Sequence, residues 1–215
     1  MPEALQNRTQ KSIVLVGGGH THALVLNGMR TAPLNNANVT VINPGKTAPY
    51  SGLLPGFVAG HYRREELDID LEQLTSAVGA KLIDARAVAM DTSEKVVVLD
   101  DGSKISYDFV SFDVGITSQM DLLPGFSKHA VPAKPMAGFA SRWDLFRQGG
   151  GGKTVLIIGG GIAGAELGMA MSCALRSGKS AASITLLDRG TVLSANSMSA
   201  RKRCTCDREL PVSKG

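Results

Sequence analysis

Residues 155–171 read VLIIGGGIAGAELGMAM, an apolar run rich in β-branched residues that ends at three glycines. Gly159, Gly161 and Gly164 form a GxGxxG pattern, which binds a dinucleotide diphosphate when a strand precedes it and a helix follows. Unpaired N–H groups and the positive dipole end at the start of that helix favour the phosphates. The pattern predicts a strand over 154–158, a helix over 162–177 and a strand over 183–187.

The residue that ends the last of these strands bears on the choice of nucleotide. Asp188 is in the place where an acidic residue binds the ribose hydroxyls, and its charge favours NADH over NADPH. Arg189 follows it directly, and an arginine there can accept the 2′-phosphate of NADPH. The sequence therefore favours NADH and leaves NADPH open.

A similar arrangement occurs near the start of the chain, where IVLVGGGHTH spans residues 13–22. Gly17 and Gly19 fit the first two glycine positions, but His22 takes the place of the third and should push the helix away from the strand. The following strand ends in uncharged Asn43. We predict a strand over 13–16, a helix over 20–30 and a strand over 39–42. A role beside a phosphate turn explains the two histidines of His20-Thr-His22 better than a metal, because no third ligand is near in sequence.

The intervening chain predicts an excursion from the first unit and then a connector. Residues 45–62 show no periodicity; 65–78 predict a helix; 81–89, 95–99 and 107–114 predict strands, with a hairpin turn at Asp100-Asp-Gly102. The fold class is α/β with two Rossmann-like βαβ units, the second incomplete. We expect a first nucleotide-binding domain over 1–115, a connector with a short helix at 140–146 over 116–152, a partial second domain over 153–193 and an unstructured tail over 194–215.

Composition narrows the class of protein. The 215 residues are 43% hydrophobic with a net charge of +4, and several of the positive charges lie in the last fifteen residues, so no nucleic-acid partner is expected. Cys173, Cys204 and Cys206 lack the spacing of a zinc site or of a redox dithiol. There is no signal-peptide pattern and no run of 18 apolar residues, so we expect a soluble cytoplasmic or organellar protein.

Four segments, VLVGGGHTHALVL, APYSGLLPGFVAGHY, VSFDVGITS and VLIIGGGIAGAELGMAM, resemble the pyridine nucleotide–disulfide oxidoreductase superfamily. Within it, Tyr50-Ser-Gly-Leu-Leu-Pro55 and the His20-Thr-His22 variant resemble the NADH dehydrogenase-like flavoprotein module found alone or fused to selenide, water dikinase. The resemblance runs from about residue 11 to residue 203. The ATP-binding segment of that kinase is not visible, so selenophosphate synthesis is not expected.

The resemblance implies FAD in the first unit and NAD(P)H in the second. The residues implied at the FAD are Gly17, Gly19, His20, Thr21, Asn43, Pro49, Tyr50, Ser51, Val88, Asp113, Val114 and Gly115. Those implied at the nicotinamide nucleotide are Gly159, Gly161, Ile162, Ala163, Gly164 and Glu166, to which the strand-end pair Asp188 and Arg189 is added.

The resemblance also implies a function. We expect an FAD-dependent NADH dehydrogenase-like oxidoreductase that passes a hydride from NADH to FAD and electrons to a quinone or another small acceptor. Family members return to the FAD domain after the NAD domain, whereas here the second unit begins at Lys153, near the end of the chain. A truncated, non-catalytic nucleotide-binding remnant of such an enzyme, or of a dikinase fusion, is therefore the alternative. No side chain is predicted to be catalytic.

Overall fold

The computed structural model describes residues 10–117, 124–149, 154–176, 183–190, 192–193 and 212–214. The chain forms two compact units, Met1–Tyr50 with Asp68–Thr117, and Ser51–Leu67 with Ser118–Gly215. Among the described residues, none of the helices has the length and apolar character needed to cross a bilayer.

Helices and strands are interspersed along the chain, with five strands in succession near its middle. The first half contains β1 (Lys11–Val16), α1 (His20–Met29), β2 (Ala37–Asn43), β3 (Thr47–Pro49), α2 (Leu54–Ala59), β4 (Asp68–Asp70), α3 (Leu71–Ala77), β5 (Lys81–Asp84) and β6 (Ala87–Asp91). The second contains β7 (Val96–Leu99), β8 (Lys104–Ser106), β9 (Phe109–Phe112), α4 (Phe126–His129), α5 (Met136–Gln148), β10 (Val155–Ile158), α6 (Ile162–Arg176), β11 (Ile184–Asp188) and β12 (Val212–Lys214).

The first unit is built on a parallel sheet with strand order β5-β2-β1-β9. Successive residues of a strand point to opposite faces, so β1 contributes to two cores. Val14 and Val16 pack with Val97 of the antiparallel sheet β6-β7-β8, while Leu15 packs with Leu26 of α1 on the other side. Burial on both faces explains the continuous apolar run of β1.

The second unit pairs β10, β11 and β12 in parallel and encloses a separate core. Residues of α2, α5 and α6 meet there, including Phe57, Trp143 and Met171. The indole N–H of Trp143 donates a hydrogen bond to the carbonyl oxygen of Val58 at 3.1 Å, which fixes α5 against α2. Both predicted βαβ units are present, and the α/β fold class is confirmed.

Two sequence-based predictions of local structure are wrong, and one segment for which no element was predicted contains a helix. The helix predicted over 65–78 begins only at Leu71, because Asp70 caps it by accepting a 2.8 Å hydrogen bond from the backbone N–H of Gln73; Asp68–Asp70 is instead a strand paired with β3. The strand predicted over 81–89 is divided between two sheets, as β5 and β6. The segment 45–62 contains α2, whose burial supplies the order that its local pattern does not predict.

The residues of the second unit are not contiguous in the sequence. Residues 51–67 belong to the second unit, because Leu54, Phe57 and Val58 are buried in its core. The expected connector supplies α5 to the same core, as a longer helix than predicted. Val212–Lys214 pairs with β11, so the expectation of an unstructured tail is wrong for these three residues. The rest of 194–215, and residues 118–123 and 150–153 of the connector region, lie outside the described residues.

Candidate functional site

The first glycine turn leaves β1 at a position where only glycine fits. Gly17 has φ +90°, and its N–H donates to the carbonyl oxygen of Ile42 at 2.8 Å. A Cβ on Gly17 would overlap the backbone carbonyl of Asp113 and lie 2.9 Å from the Cα of Val114. The turn is therefore held between the ends of β2 and β9, at the carboxyl edge of the sheet where ligands of such folds bind.

Asn43 holds the same turn from the end of β2. Its side-chain oxygen accepts the backbone N–H of Gly18 at 2.9 Å. Its amide nitrogen donates to the carbonyl oxygens of Gly45 at 2.9 Å, Thr47 at 3.2 Å and Pro44 at 3.3 Å. The residue is only 7% exposed. This buried amide joins the glycine turn to the loop that follows β2.

The start of α1 faces a carboxylate from a distant strand end. The first turn of α1 contains no acidic residue of its own. The N–H groups of Thr21 and His22 donate instead to Asp113 Oδ2, at 2.8 Å and 3.3 Å. A Cβ on Gly19 would overlap this carboxylate. The helix start is thus an anion-binding position that Asp113 partly fills.

His22 occupies the position of the third glycine without leaving its polar atoms unpaired. The side chain is 1% exposed, with Nδ1 2.7 Å from the carbonyl oxygen of Gly17 and Nε2 2.9 Å from Ser111 Oγ. A carbonyl oxygen only accepts hydrogen bonds, so Nδ1 carries the proton and donates it. The imidazole therefore fastens α1 both to the glycine turn and to β9.

The other residues predicted at the first cofactor are distributed more widely. The His20 ring contacts the Tyr50 ring, with centroids 4.6 Å apart and planes at 47°, and Pro49 lies in β3. Val88 lies in β6 with a 57% exposed side chain. The remaining members are Val114 and Gly115, exposed directly after β9, and Ser51, which belongs to the second unit.

The second glycine turn has the same backbone geometry as the first, but different groups surround its glycines. Gly159 has φ +115°, and its N–H donates to the carbonyl oxygen of Leu187 at 2.9 Å. A Cβ on Gly164 would overlap the carbonyl oxygen of Gly159. A Cβ on Gly161 would meet open space among the described residues. The first and third glycines are thus fixed by backbone geometry and close packing, while the second faces room for a ligand.

Asp188 closes the second turn as Asn43 closes the first. Its Oδ2 accepts the N–H of Gly160 at 2.5 Å, and its Oδ1 accepts the N–H of Gly190 at 2.8 Å. The pKa of the Asp188 carboxyl is lower than its ordinary value, chiefly because of the hydrogen bond from Gly160 and then that from Gly190. The positive charge of Arg189 lowers it further. The carboxylate at the strand end is therefore ionised and oriented towards the glycine turn.

The first turns of α6 carry the remaining predicted residues of the second site. No acidic residue lies in the first turn, Ala163 is exposed, and Ile162 is 55% exposed. One turn later, Glu166 borders an open pocket of about 450 Å³ within the second unit. Six of the residues around that pocket are Glu166, Met169 and Cys173 of α6 and Gly56, Ala59 and His61 of the 51–67 segment.

Two glycines contribute to the turns although the sequence pattern did not single them out, and His22 contributes through hydrogen bonds that the pattern did not predict. Gly18 and Gly160 donate to the strand-end side chains, and the His22 imidazole is hydrogen-bonded on both nitrogens. For Gly18 and Gly160, their place as the middle glycine of a GGG run is the feature that could have indicated this role. For His22, its place in the GxGxxG frame was the only indication.

Comparison with known proteins agrees with this geometry. The model of the pyridine nucleotide-disulphide oxidoreductase family matches residues 11–209. The chain belongs to this family. Its members are oxidoreductases that bind FAD and NAD(P)H, so the two glycine turns belong to a family that uses both nucleotides.

Individual family members match the chain at low sequence identity. A probable ferredoxin reductase, CtmF, from Castellaniella defragrans is 26% identical over 158 residues, which are 72% of this chain and 38% of that protein. The sulfide:quinone oxidoreductase of Aquifex aeolicus has a TM-score of 0.74 at 17% identity, covering 95% of this chain and 51% of that one. The water-forming NADH oxidase of Lactobacillus brevis, bound to NADH, has a TM-score of 0.70 at 17% identity, covering 95% and 46%.

These structural matches confirm the fold. The chain spans 38% of the ferredoxin reductase and about half of each of the two solved structures.

Proposed function

We propose that this chain binds FAD at the turn Gly17–Gly19 and NAD(P)H at the turn Gly159–Gly161, as part of an oxidoreductase that passes a hydride from NADH to FAD. Electrons would leave for a quinone or another small acceptor. The observation that carries the proposal is the pair of glycine turns, each followed by a helix whose first turn has no acidic residue of its own.

The residues of the chain would act by binding and orientation. A flavin, when bound, supplies a two-electron acceptor, and the hydride step itself requires no acid or base from the protein. Backbone N–H groups at the start of α6 would bind one diphosphate. At the start of α1, the N–H groups of Thr21 and His22 would exchange the carboxylate of Asp113 for the other diphosphate. Gly161, beside which no residue of the described part of the chain lies, leaves room for the diphosphate to approach the backbone. Fixing both nucleotides by their diphosphates would orient the reacting rings.

NADH is the favoured donor because of Asp188. Its carboxylate is ionised and fixed by two backbone N–H groups, so it would repel a 2′-phosphate at this strand end. The NADH-bound oxidase that shares the fold supports the same choice. The electron acceptor is proposed from relatives, since one of them is a sulfide:quinone oxidoreductase and another a probable ferredoxin reductase.

An absorbance spectrum of the purified chain tests the proposal directly. We expect a bound yellow flavin whose absorbance bleaches when NADH is added without oxygen. Gly19→Leu should prevent flavin binding, whereas Gly161→Leu should keep the flavin and abolish its bleaching. Gly138→Leu, in α5 where a Cβ would meet open space among the described residues, is the matched control.

The alternative is a nucleotide-binding chain without turnover, which the partial coverage of its relatives favours. That alternative predicts flavin binding with no bleaching by NADH or NADPH. A colourless protein that takes up no added FAD would contradict the proposal and favour this alternative, in the form of a remnant that has lost FAD.

A further inference from the structure

In the first unit, the residue at the end of β2 is Asn43, and the acidic residue Asp84 ends the neighbouring strand β5. β2 and β5 are neighbouring parallel strands, and their register pairs Asn43 with Asp84. Both residues therefore end their strands at the carboxyl edge of the sheet, next to the first glycine turn. Neighbouring strands are about 4.8 Å apart, a distance that an aspartate side chain can span.

Asn43 is poorly suited to bind a ribose. Its amide nitrogen faces three backbone carbonyl oxygens and its oxygen accepts the N–H of Gly18. Breaking these bonds to reach a ligand would leave buried polar groups unpaired, which is costly. The residue at the usual position of the ribose-binding acid is thus committed to the protein backbone.

Asp84 has the opposite properties. Its side chain is exposed, and Oδ1 accepts the backbone N–H of Gly45 at 2.6 Å, which orients the carboxylate over the loop after β2. No hydrogen bond within the described residues occupies Oδ2. The carboxylate therefore presents an acceptor to solvent at the edge where a dinucleotide would extend from the glycine turn.

We infer that Asp84 binds the adenosine ribose hydroxyls of the dinucleotide at the first glycine turn, in the role that an acid at the end of β2 usually takes. The inference rests on the proposed function for that turn. Vicinal hydroxyls are two donors, and an ionised carboxylate offers acceptors without a competing donor. The diphosphate at the start of α1 directs the adenosine across β2, and β5 is the next strand in the sheet.

The charged neighbours of Asp84 fit a neutral diol better than a phosphate. Lys46 follows Gly45, and its pKa is raised first by the hydrogen bond and charge of Glu72 and then by the charge of Asp84. The ammonium of Lys46 already pairs with Glu72 at 2.7 Å, and Asp70 also lies close enough to raise its pKa. Three carboxylates around one lysine disfavour an additional negative group.

A ligand-and-residue cycle tests the inference. Wild-type protein freed of flavin is titrated with FAD and with FAD that carries a 2′-deoxyadenosine, and Asp84→Ala and Asp84→Asn are titrated with both. We expect the wild type to bind FAD at least about tenfold more tightly than the analogue, because a hydrogen bond to a charged group is lost. Asp84→Ala should weaken FAD by at least a similar factor and weaken the analogue less, because the analogue retains only the 3′-hydroxyl as a partner for the carboxylate.

Asp84→Asn guards against a folding defect, because an amide oxygen can still accept the N–H of Gly45. It should retain the melting temperature of the wild type while losing most of the discrimination between the two ligands. Asp101→Asn, in the turn between β7 and β8, should behave as the wild type. If the wild type discriminates the ligands and both Asp84 variants do so equally, the inference is overturned and the FAD site stands. Failure of the wild type to bind either ligand overturns the proposed function itself.

Discussion

The two glycine turns of this chain have the same backbone course and are completed by different chemistry. In the first, the space beside Gly19 holds the carboxylate of Asp113, and in the second no described residue fills the space beside Gly161. At the third position, the first turn buries the His22 imidazole and the second accommodates only the hydrogen atom of Gly164. Glycine at the third position therefore lets helix and strand pack closely in the second turn. In the first turn, a histidine that donates a hydrogen bond to the carbonyl oxygen of the first glycine serves instead.

The residues that end the second strand of each unit, Asn43 and Asp188, also share one role and differ in another. Asn43 and Asp188 both accept the N–H of the middle glycine, at 2.9 Å and 2.5 Å. Only the amide can also donate to the loop beyond the strand, and it is buried, whereas the carboxylate remains partly exposed. Support of the glycine turn is thus common to both residues, and ribose recognition is an additional role that only one of them is free to take.

The largest effect should come from Gly17→Ala. Alanine would be strained at φ +90° and would overlap the backbone of Asp113, so we expect a loss of about 4 kcal/mol in the free energy of unfolding. Gly159→Ala, strained at φ +115° but facing open space among the described residues, should lose only about 1–2 kcal/mol. Urea unfolding monitored by circular dichroism measures both, and equal losses would contradict the contrast between the turns.

His22→Ala should have the next largest effect. It removes two hydrogen bonds and leaves a cavity at a 1% exposed position, for an expected loss of about 3 kcal/mol in the free energy of unfolding. His20→Ala, at an exposed neighbouring position, is the control and should change stability little. The same urea titrations apply, and a loss below that of the control would show that the imidazole does not fasten α1.

Asn43→Asp would make the first strand end resemble the second. The carboxylate would face the carbonyl oxygens of Gly45, Thr47 and Pro44 without a proton to donate, so we expect a loss of about 2 kcal/mol. Asn38→Asp, at an exposed position of the same strand, controls for the added charge. Thermal unfolding of the three proteins at pH 7 provides the measurement, and an unchanged melting temperature for Asn43→Asp would contradict the assignment.

Asp188→Asn, the reverse exchange, should have the smallest effect, confined to its pH dependence. The pKa of Asp188 is lower in the folded chain than in the unfolded one, so the ionised carboxylate stabilises the fold above the unfolded value. That contribution is lost as the pH falls through the lowered folded-state pKa. Wild-type stability should therefore decline more steeply than that of the variant from pH 5 downward, at constant ionic strength. Parallel curves for the two proteins would be evidence against the backbone hydrogen bonds to Asp188.

Local patterns predicted those parts of the fold that local chemistry determines. The two glycine turns, the strands before them and the helices after them follow from spacing and from apolar runs, and they are confirmed. The strand β4 and the helix α2 were not predicted, because their order comes from distant partners. The end of β3 lies 19 residues before the start of β4, and α2 is buried against α5 and α6. No periodicity within 45–70 contains that information.

In the candidate site too, the residues of the local motif were predicted, and the contacts between distant strands were not. The glycines of both turns and Asp188 were predicted from the GxGxxG frame, and their cofactor contacts stay predictions. The carboxylate of Asp113 at the start of α1 and the pairing of Asp84 with Asn43 depend on which strands become neighbours. A single sequence does not state strand order, so these contacts required the sheet register.

The assignment of residues 51–67 to the second unit has a practical consequence for anyone who wishes to isolate that unit. An expression fragment that begins at residue 118 would lack α2, uncover the apolar surface that Phe57 and Val58 bury, and deprive the Trp143 indole of its acceptor. Such a fragment should be insoluble. A recombinant gene that splices residues 51–67 ahead of 118 through a flexible linker would preserve the missing packing, and its tryptophan fluorescence would report whether the core has re-formed.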